Sequence, residues 1–260
     1  MSGNGEKGEL PVLWQLRFSH FNEKGRWALD YKGIRHTRRS LAPGTHSRRA
    51  KQLGGSGTTP LLQIGGRTIG DTTELIAELE RIQPDPALYP AGEAARERAL
   101  GLEDYFDEQL GPYLRGAVFA ALLPDREALV SVTTQGLGSG TRRTINLFYP
   151  VIRPRLRKAL VEAPGGAEVC REKTFAALDR LESELAGGDY LVGDQFTVAD
   201  LTAAALFFPL VSPPEFQYEI PDPWPAKWEE FRRENADRLG YRWVEEMYRR
   251  HRGPSAEVTS

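Results

Sequence analysis

The sequence predicts a small α/β domain followed by an all-helical domain, and three observations lead to this fold class. A hydrophobic fraction of 40% beside 27% charged residues is enough for a packed core. The first third of the chain mixes strand-like and helical patterns, whereas the remainder is mainly helical. Between them the run QPDPALYPAG carries three prolines, which helices and central strands do not tolerate. We expect an α/β domain over residues 8–83, a linker over 84–92 and a helical domain over 93–252.

The α/β domain begins with a strand–helix–strand unit. Residues 11–18 (PVLWQLRF) are apolar, aromatic and β-branched, which favours a strand. A helix follows, with Asn22 as its expected N-cap and Gly33 as the residue that ends it with a positive φ. Residues 34–41 form the second strand. A right-handed crossover makes the two strands parallel.

A hairpin and a helix complete this domain. Residues 61–69 (LLQIGGRTI) predict two short strands around Gly65 and Gly66, which favour a two-residue turn. Asp71 is an expected N-cap, with an acidic residue three positions later, and the following residues carry an apolar stripe at helical spacing. The order β-α-β followed by β-β-α is that of a thioredoxin-like domain.

The second domain is predicted from helical periodicity and start signals. Thr197, with Asp200 three residues later, has the pattern of a capping box. The prolines of residues 213–225 interrupt the chain; this stretch and the tail after Arg252 either cover a pocket or lie on the surface. The expected helices span residues 93–122, 144–162, 167–186, 197–206 and 226–250.

Composition also limits the partners. A net charge of −2 gives no general reason to expect nucleic acid, and no apolar run is long enough for a membrane span. Cys170 is the single cysteine and the four histidines are scattered, so we expect neither a disulfide nor a metal site. The first ten residues lack the apolar core of a signal peptide. We therefore expect a cytoplasmic protein.

Five short motifs follow one another along the chain: Ser19–Arg26 (SHFNEKGR), Thr59-Pro60, Asp71-Thr72, Leu88-Tyr89-Pro90 and LVGDQFTVAD at residues 191–200. In this order they resemble the motifs of the cytosolic glutathione S-transferase superfamily, in a bacterial-type, serine-class variant. The resemblance implies a glutathione-transferase fold, glutathione as co-substrate and a homodimer.

Ser19 is the first candidate catalytic residue. A thiol attacks as its thiolate, and free thiols are mostly protonated at neutral pH. Lowering a thiol pKa by about two units requires roughly 2.7 kcal/mol, which one charge-assisted hydrogen bond and a helix N-terminus supply together. Asn22 is the second candidate, because its amide can donate to a thiolate. Alternatively, Asn22 only caps the helix.

The resemblance also implies a thiol-binding loop that includes His20 and Phe21, where we expect His20 to be exposed and not to act as a base. Thr59 precedes Pro60, for which we expect a cis bond. This geometry turns the backbone of Thr59 toward a peptide-like ligand, as β-augmentation requires. The alternative is an ordinary trans proline at a strand start.

Asp71 and Thr72 resemble the residues that hold the γ-glutamyl end of glutathione. Asp71 suits its ammonium group and Thr72 its carboxylate, although both residues also suit a capping box alone. Residues 54–58 (GGSGT) lack the Lys or Gln that relatives often place before the cis proline. A different low-molecular-weight thiol, or none, therefore stays open.

The electrophile pocket is expected along the first helix of the second domain, at Tyr105, Phe106, Gln109 and Tyr113, although aromatic residues at this spacing also suit a core. The leading hypothesis is an enzyme in which Ser19 stabilises a thiolate that attacks a small electrophile. Conjugation, dehalogenation, ether cleavage by a lyase and isomerisation all use such a thiolate. The second hypothesis is a non-catalytic binding or interaction protein with the same fold.

Overall fold

The computed structural model describes residues 9–185 and 187–259, so most of the predicted N-terminal tail and the last residue of the helix predicted over 167–186 lie outside the described part. The α/β part contains β1 (Val12–Gln15), α1 (His20–Tyr31), β2 (Thr37–Ser40), α2 (His46–Gln52), β3 (Leu61–Ile64), β4 (Arg67–Ile69) and α3 (Thr72–Ile82). The helical part contains α4 (Glu93–Gln109), α5 (Gly111–Leu122), α6 (Arg126–Thr133), α7 (Ser139–Arg157), α8 (Ala167–Leu185), α9 (Val198–Val211), α10 (Ala226–Asn235) and α11 (Leu239–His251).

The sheet has the order β2-β1-β3-β4. β1 runs parallel to β2, as predicted for a βαβ unit, and antiparallel to β3. Gly65 and Gly66 join β3 to β4 with φ of 55° and 76°, the backbone that a two-residue hairpin turn requires. A thioredoxin-like domain followed by a helical domain is therefore confirmed. Helix α2, which includes a basic run, was not predicted.

The start of α1 differs from the prediction. The N-cap is Ser19, whose hydroxyl accepts from the backbone N–H of Asn22, while Asn22 lies inside the first turn. The prediction of Asn22 as N-cap is wrong because both residue types favour caps and β1 ends early enough for Ser19 to take that place. The helix ends as expected at Gly33, which has a φ of 62°.

Two long helices predicted in the second domain are each divided. The segment 93–122 breaks at Leu110, where φ is −107°, and Pro112, which has no backbone N–H, lies in the first turn of α5. The segment 226–250 is divided between α10 and α11. Helix α7 continues into a π-helical turn over Lys158–Glu162. The residues after these breaks therefore face directions that a continuous helix does not predict.

Helix α9 is the centre of the molecule. All its residues from Val198 to Val211 are buried, and it packs against α1, α4 and α11. Its capping box forms as predicted. One carboxylate oxygen of Asp200 accepts from the backbone N–H of Leu191 at 2.8 Å, and the other accepts from the N–H and hydroxyl of Thr197 at 2.8 and 2.7 Å.

The C-terminal tail returns to the sheet. The N–H of Val258 donates to the carbonyl of His36 at 2.8 Å, and the N–H of Ala256 donates to Asp30 at 2.8 Å. The tail thus lies beside β2. None of the helices described here combines the length and the apolar composition that crossing a membrane requires.

We expect Asp200→Ala to lower the free energy of unfolding by about 2–4 kcal/mol, because three buried donors lose their acceptor. Urea unfolding measures the change. Asp194→Ala, at an exposed aspartate close by, is the control and is expected to change stability by less than about 0.5 kcal/mol. Equal effects of the two substitutions would contradict a central role for this cap.

Candidate active site

A cavity of about 240 Å³ lies where the loop between β1 and α1 meets the Thr59 loop and helix α5. Its walls are largely apolar, and Phe18, Phe21, Val118, Phe119 and Leu160 contribute to them. The titratable groups that line it are arginines and histidines; no aspartate or glutamate of the described residues does so. The cavity therefore offers an apolar surface with a positive electrostatic potential.

Ser19 lines this cavity, and Asn22 determines how its hydroxyl is used. The side-chain amide of Asn22 donates to Ser19 Oγ at 2.7 Å, and the backbone N–H of Asn22 approaches the same oxygen at 3.4 Å. Because Oγ accepts both contacts, the Ser19 O–H is left to donate to another group. Ser19 is thus arranged as a hydrogen-bond donor at the edge of the cavity.

Asn22 itself is fully buried, and its amide is engaged with protein groups. Besides Ser19, Nδ2 donates to Thr59 Oγ1 at 3.1 Å. Oδ1 accepts from the backbone N–H of Leu16 at 3.1 Å. Both side-chain N–H groups therefore point at protein hydroxyls, so the predicted direct donation from Asn22 to a thiolate does not fit this geometry.

His20 is buried, in contrast to the exposed histidine that we expected from its place in a loop. It is the first residue of α1, and its ring packs between Phe21 and the carbonyl of Gly111, to which Nε2 donates at 3.0 Å. Burial, together with the charge of Arg115, lowers the pKa of His20 to about 3. The ring is therefore neutral at physiological pH.

Thr59 also lines the cavity, and the peptide bond to Pro60 is cis, as predicted. Pro60 is buried against α1, where a Cβ on Gly25 would lie 3.2 Å from the proline ring. Among the described residues, neither the backbone N–H nor the C=O of Thr59 takes part in a backbone hydrogen bond. Both groups are available to a ligand.

Asp71 and Thr72 lie at the start of α3 and do not line this cavity. One oxygen of Asp71 accepts from the N–H groups of Thr73 and Glu74 at 2.9 and 3.0 Å, so Asp71 caps the helix. The second carboxylate oxygen is not needed for the cap. Asp71 is exposed, whereas Thr72 is buried.

A buried charge cluster adjoins the start of α3. Lys24 pairs with Glu103 at 2.8 Å and with Asp107 at 2.5 Å, and the hydroxyl of Thr73 donates to Glu103 at 3.1 Å. Burial raises the pKa of both carboxyl groups, and the nearby charge of Asp71 adds to this effect at Asp107. Two carboxylates share one ammonium group, so the cluster favours a further cation.

The four residues predicted for the electrophile pocket lie outside this cavity. Phe106 is in the core against Phe207, and Tyr105 packs beneath Arg180. Gln109 and Tyr113 face Lys173 on α8. The break at Leu110 explains part of the difference, since it changes the direction in which the following residues project.

Arg115 lines the cavity and was missed from the sequence. A signal was present, because Arg115 is the only charged residue of the apolar helix α5 (GPYLRGAVFAAL). Within residues 9–185 and 187–259 no cluster of His, Cys, Asp and Glu is arranged to hold a metal ion. Cys170, expected to be a packing residue, is buried in α8.

Two family models match the chain. The glutathione S-transferase N-terminal domain matches residues 13–87, and the glutathione S-transferase C-terminal domain matches residues 145–233. Together they cover more than half of the sequence. No curated protein sequence matches the chain.

Solved structures with low sequence identity share the fold. Beta-etherase LigF from Sphingobium sp. strain SYK-6 is 20% identical, with a TM-score of 0.59 over 91% of this chain and 99% of the etherase. The theta class glutathione S-transferase of Xanthomonas axonopodis pv. citri, with glutathione bound, is 18% identical, with a TM-score of 0.57 over 90% and 97%. Glutathione transferase GSTFuA3 from Phanerochaete chrysosporium is 17% identical, with a TM-score of 0.62 over 94% and 97%. From the domain matches and the shared fold, we conclude that the chain belongs to the glutathione S-transferase superfamily.

Proposed function

We propose that this protein is a thiol-dependent transferase in which Ser19 stabilises a bound thiolate for attack on a small electrophile. The observation that carries the proposal is the pair of contacts from Asn22 to Ser19 Oγ, which leaves the hydroxyl proton free beside an apolar cavity. A hydrogen bond to a charged acceptor contributes about 1.5–3 kcal/mol, and the N-terminus of α1 adds a favourable field. Together they are sufficient to favour the thiolate near neutral pH.

Asn22 is assigned a positioning role. Its buried amide joins the end of β1, Ser19 and Thr59 through three hydrogen bonds. It holds Ser19 in one rotamer and acts on the sulfur through that hydroxyl. The role differs from direct donation, which its engaged N–H groups do not permit.

Glutathione is the thiol that we propose. The available backbone N–H and C=O of Thr59 suit its cysteinyl peptide unit. Asp71 and the partly exposed carboxylate of Asp107 suit the ammonium of its γ-glutamyl end, and the hydroxyl of Thr72 suits the adjacent carboxylate. The relative from Xanthomonas axonopodis pv. citri has glutathione bound, which supports the assignment. We also expect a homodimer, as is common in this superfamily.

The reaction is a displacement or an addition at an electrophilic carbon. In a displacement a sulfur–carbon bond forms while the bond to the leaving group breaks, and the leaving group departs with the electron pair. Conjugation is the simplest outcome, and the name of the beta-etherase points to ether cleavage as a related one. The apolar walls around Phe119 and Leu160 suit the body of such a substrate.

A binding protein without catalysis is the second candidate. The observation that favours it is the loop before Pro60, where Gly57, Thr58 and Thr59 provide neither a cation nor a long amide for the glycyl end. The two candidates differ in the state of the bound thiol, since only the enzyme needs a thiolate.

We expect Ser19→Ala to raise the pKa of bound glutathione by about one to two units, because the thiolate loses its donor. Ultraviolet titration of the thiolate in the complex measures this pKa. Ser183→Ala, at an exposed serine on α8, is the matched control and is expected to have no effect. Binding of glutathione with an unshifted pKa in the wild type would favour the binding protein, and an unchanged pKa in Ser19→Ala would refute the role of Ser19.

Asn22→Asp tests the positioning role. The aspartate keeps the shape of the side chain but can no longer donate, so the Ser19 hydroxyl is expected to donate to it in place of the sulfur. We expect the pKa of bound glutathione to rise at least as much as in Ser19→Ala, because a negative charge is added as well. A thiol pKa equal to that of the wild type, in a variant that still binds glutathione, would show that Asn22 has only a structural role.

His20 gives a prediction about acid stability. Its pKa is about 3 in the folded protein and about 6.5 when unfolded, so the unfolded state binds a proton first as the pH falls. From pH 6.5 to 4 this histidine is expected to remove about 3 kcal/mol from the free energy of unfolding. His20→Gln keeps a donor for Gly111 without titrating, so between pH 7 and pH 4 its free energy of unfolding should fall by about 3 kcal/mol less than that of the wild type. Urea unfolding at the two pH values measures both changes. Equal falls would contradict the prediction, and similar stabilities of the two proteins at pH 7 are the control.

A further inference from the structure

Arg115 is a partly buried cation without a counterion among the described residues. It lines the cavity from α5, its Nε is buried without a hydrogen-bond partner, and no described carboxylate lies within ion-pair distance of its guanidinium. The Cys170 thiol lies nearby, but burial raises its pKa, so it supplies no negative charge at neutral pH. Even partial removal of an unpaired charge from water is unfavourable, so a position of this kind favours a partner of opposite charge.

Three fully buried cations among the described residues each have a carboxylate partner. Lys24 pairs with Glu103 and Asp107, Arg26 pairs with Glu23, and Arg252 pairs with Glu23 and Asp30. The chain therefore supplies carboxylates where it buries a cation for structure. Arg115, which has no such partner, therefore differs from these structural cations, and the difference lies at the cavity.

The surroundings of Arg115 favour an anion. No described acidic residue lines the cavity, and a second arginine, Arg17, does so with only the hydroxyl of Ser40 and the ring of Tyr218 as partners. The buried Nδ1 of His46, which also lines the cavity, has no hydrogen-bond partner in the described structure. Next to Arg115 on α5, Val118 and Phe119 present apolar surface.

We infer that the electrophile is an amphiphilic molecule that carries a carboxylate, which pairs with the guanidinium of Arg115 while its apolar body lies against Val118 and Phe119. The planar fork of an arginine matches a carboxylate through two parallel hydrogen bonds. The inference rests on the proposed function, since it names the substrate class of that site. In the reaction, the thiolate forms a bond to the electrophilic carbon, the leaving group takes the electron pair, and the carboxylate is unchanged.

Binding of an unreactive matched pair tests this without thiol chemistry. The probes are 4-methyl-3-nitrobenzoate and 4-methyl-3-nitrobenzamide, which differ in charge but hardly in shape, and calorimetry gives their dissociation constants. The wild type is expected to bind the benzoate at least about tenfold more tightly than the amide. Arg115→Met should raise the dissociation constant of the benzoate by about 10- to 100-fold and change that of the amide by less than about twofold. Arg115→Lys keeps the charge without the planar guanidinium, so its dissociation constant for the benzoate should lie between those of the wild type and Arg115→Met.

The control is Arg143→Met, which removes one positive charge at an exposed position of α7 and should leave both constants unchanged. Arg115→Met is expected to fold with a Tm at least equal to that of the wild type, because it removes a partly buried charge that has no counterion. A weaker benzoate complex in a protein of undiminished stability then excludes unfolding as the cause.

Turnover separates this inference from the proposed function. With glutathione, 4-chloro-3-nitrobenzoate releases chloride, and the benzoate is expected to exceed the corresponding benzamide in kcat/KM only while Arg115 is present. Selective binding of the benzoate without turnover would refute the proposed transferase activity but support the anion site at Arg115. Equal binding of the two probes, no benzoate binding at millimolar concentration, or an Arg115→Met variant that loses glutathione but not benzoate would overturn the inference.

Discussion

The position of α1 is the constraint on which the rest of the site depends. This helix buries Glu23, Lys24 and Arg26 completely; Arg26 pairs with Glu23 within the helix, whereas Lys24 and Glu23 also have partners from distant parts of the chain. Lys24 takes its partners from α4, and Glu23 takes Arg252 from the end of α11. Such pairs add little net stability, but removing one partner costs about 3–5 kcal/mol. They therefore fix where α1 can lie.

A fixed α1 fixes the chemistry at its N-terminus. Asn22, in the first turn, reaches both the preceding loop and the Thr59 loop, so the geometry of Ser19 follows from the packing of the helix. The same helix packs on α9, which links the sheet to the helical part. The cavity therefore lies between elements that are held by burial, and preorganised donors of this kind need little rearrangement when charge develops.

The sequence was informative where structure is determined locally. The turn at Gly65 and Gly66, the cap at Asp71 and the box at Asp200 each depend on residues within a few positions, and all three form as predicted. The position of β1, α1 and the Thr59 loop near one another followed from resemblance to a family. Long-range partners had no local signal, which explains why the returning tail, the burial of His20 and the contacts of Asn22 were not predicted.

Arg115 shows where sequence patterns become ambiguous. A single arginine in an apolar helix has the same pattern whether its head reaches water, pairs with a carboxylate or faces a cavity, because periodicity records the helix face and not what lies opposite. Only the folded structure shows that α5 places it in the same cavity as His20 and Ser19, where no described acidic side chain lies. Lys24 and Arg252, which are fully buried, have carboxylates as partners. Arg115 thus lacks a carboxylate partner at a cavity with room for a ligand, which is consistent with a site whose stability is partly supplied by what binds there.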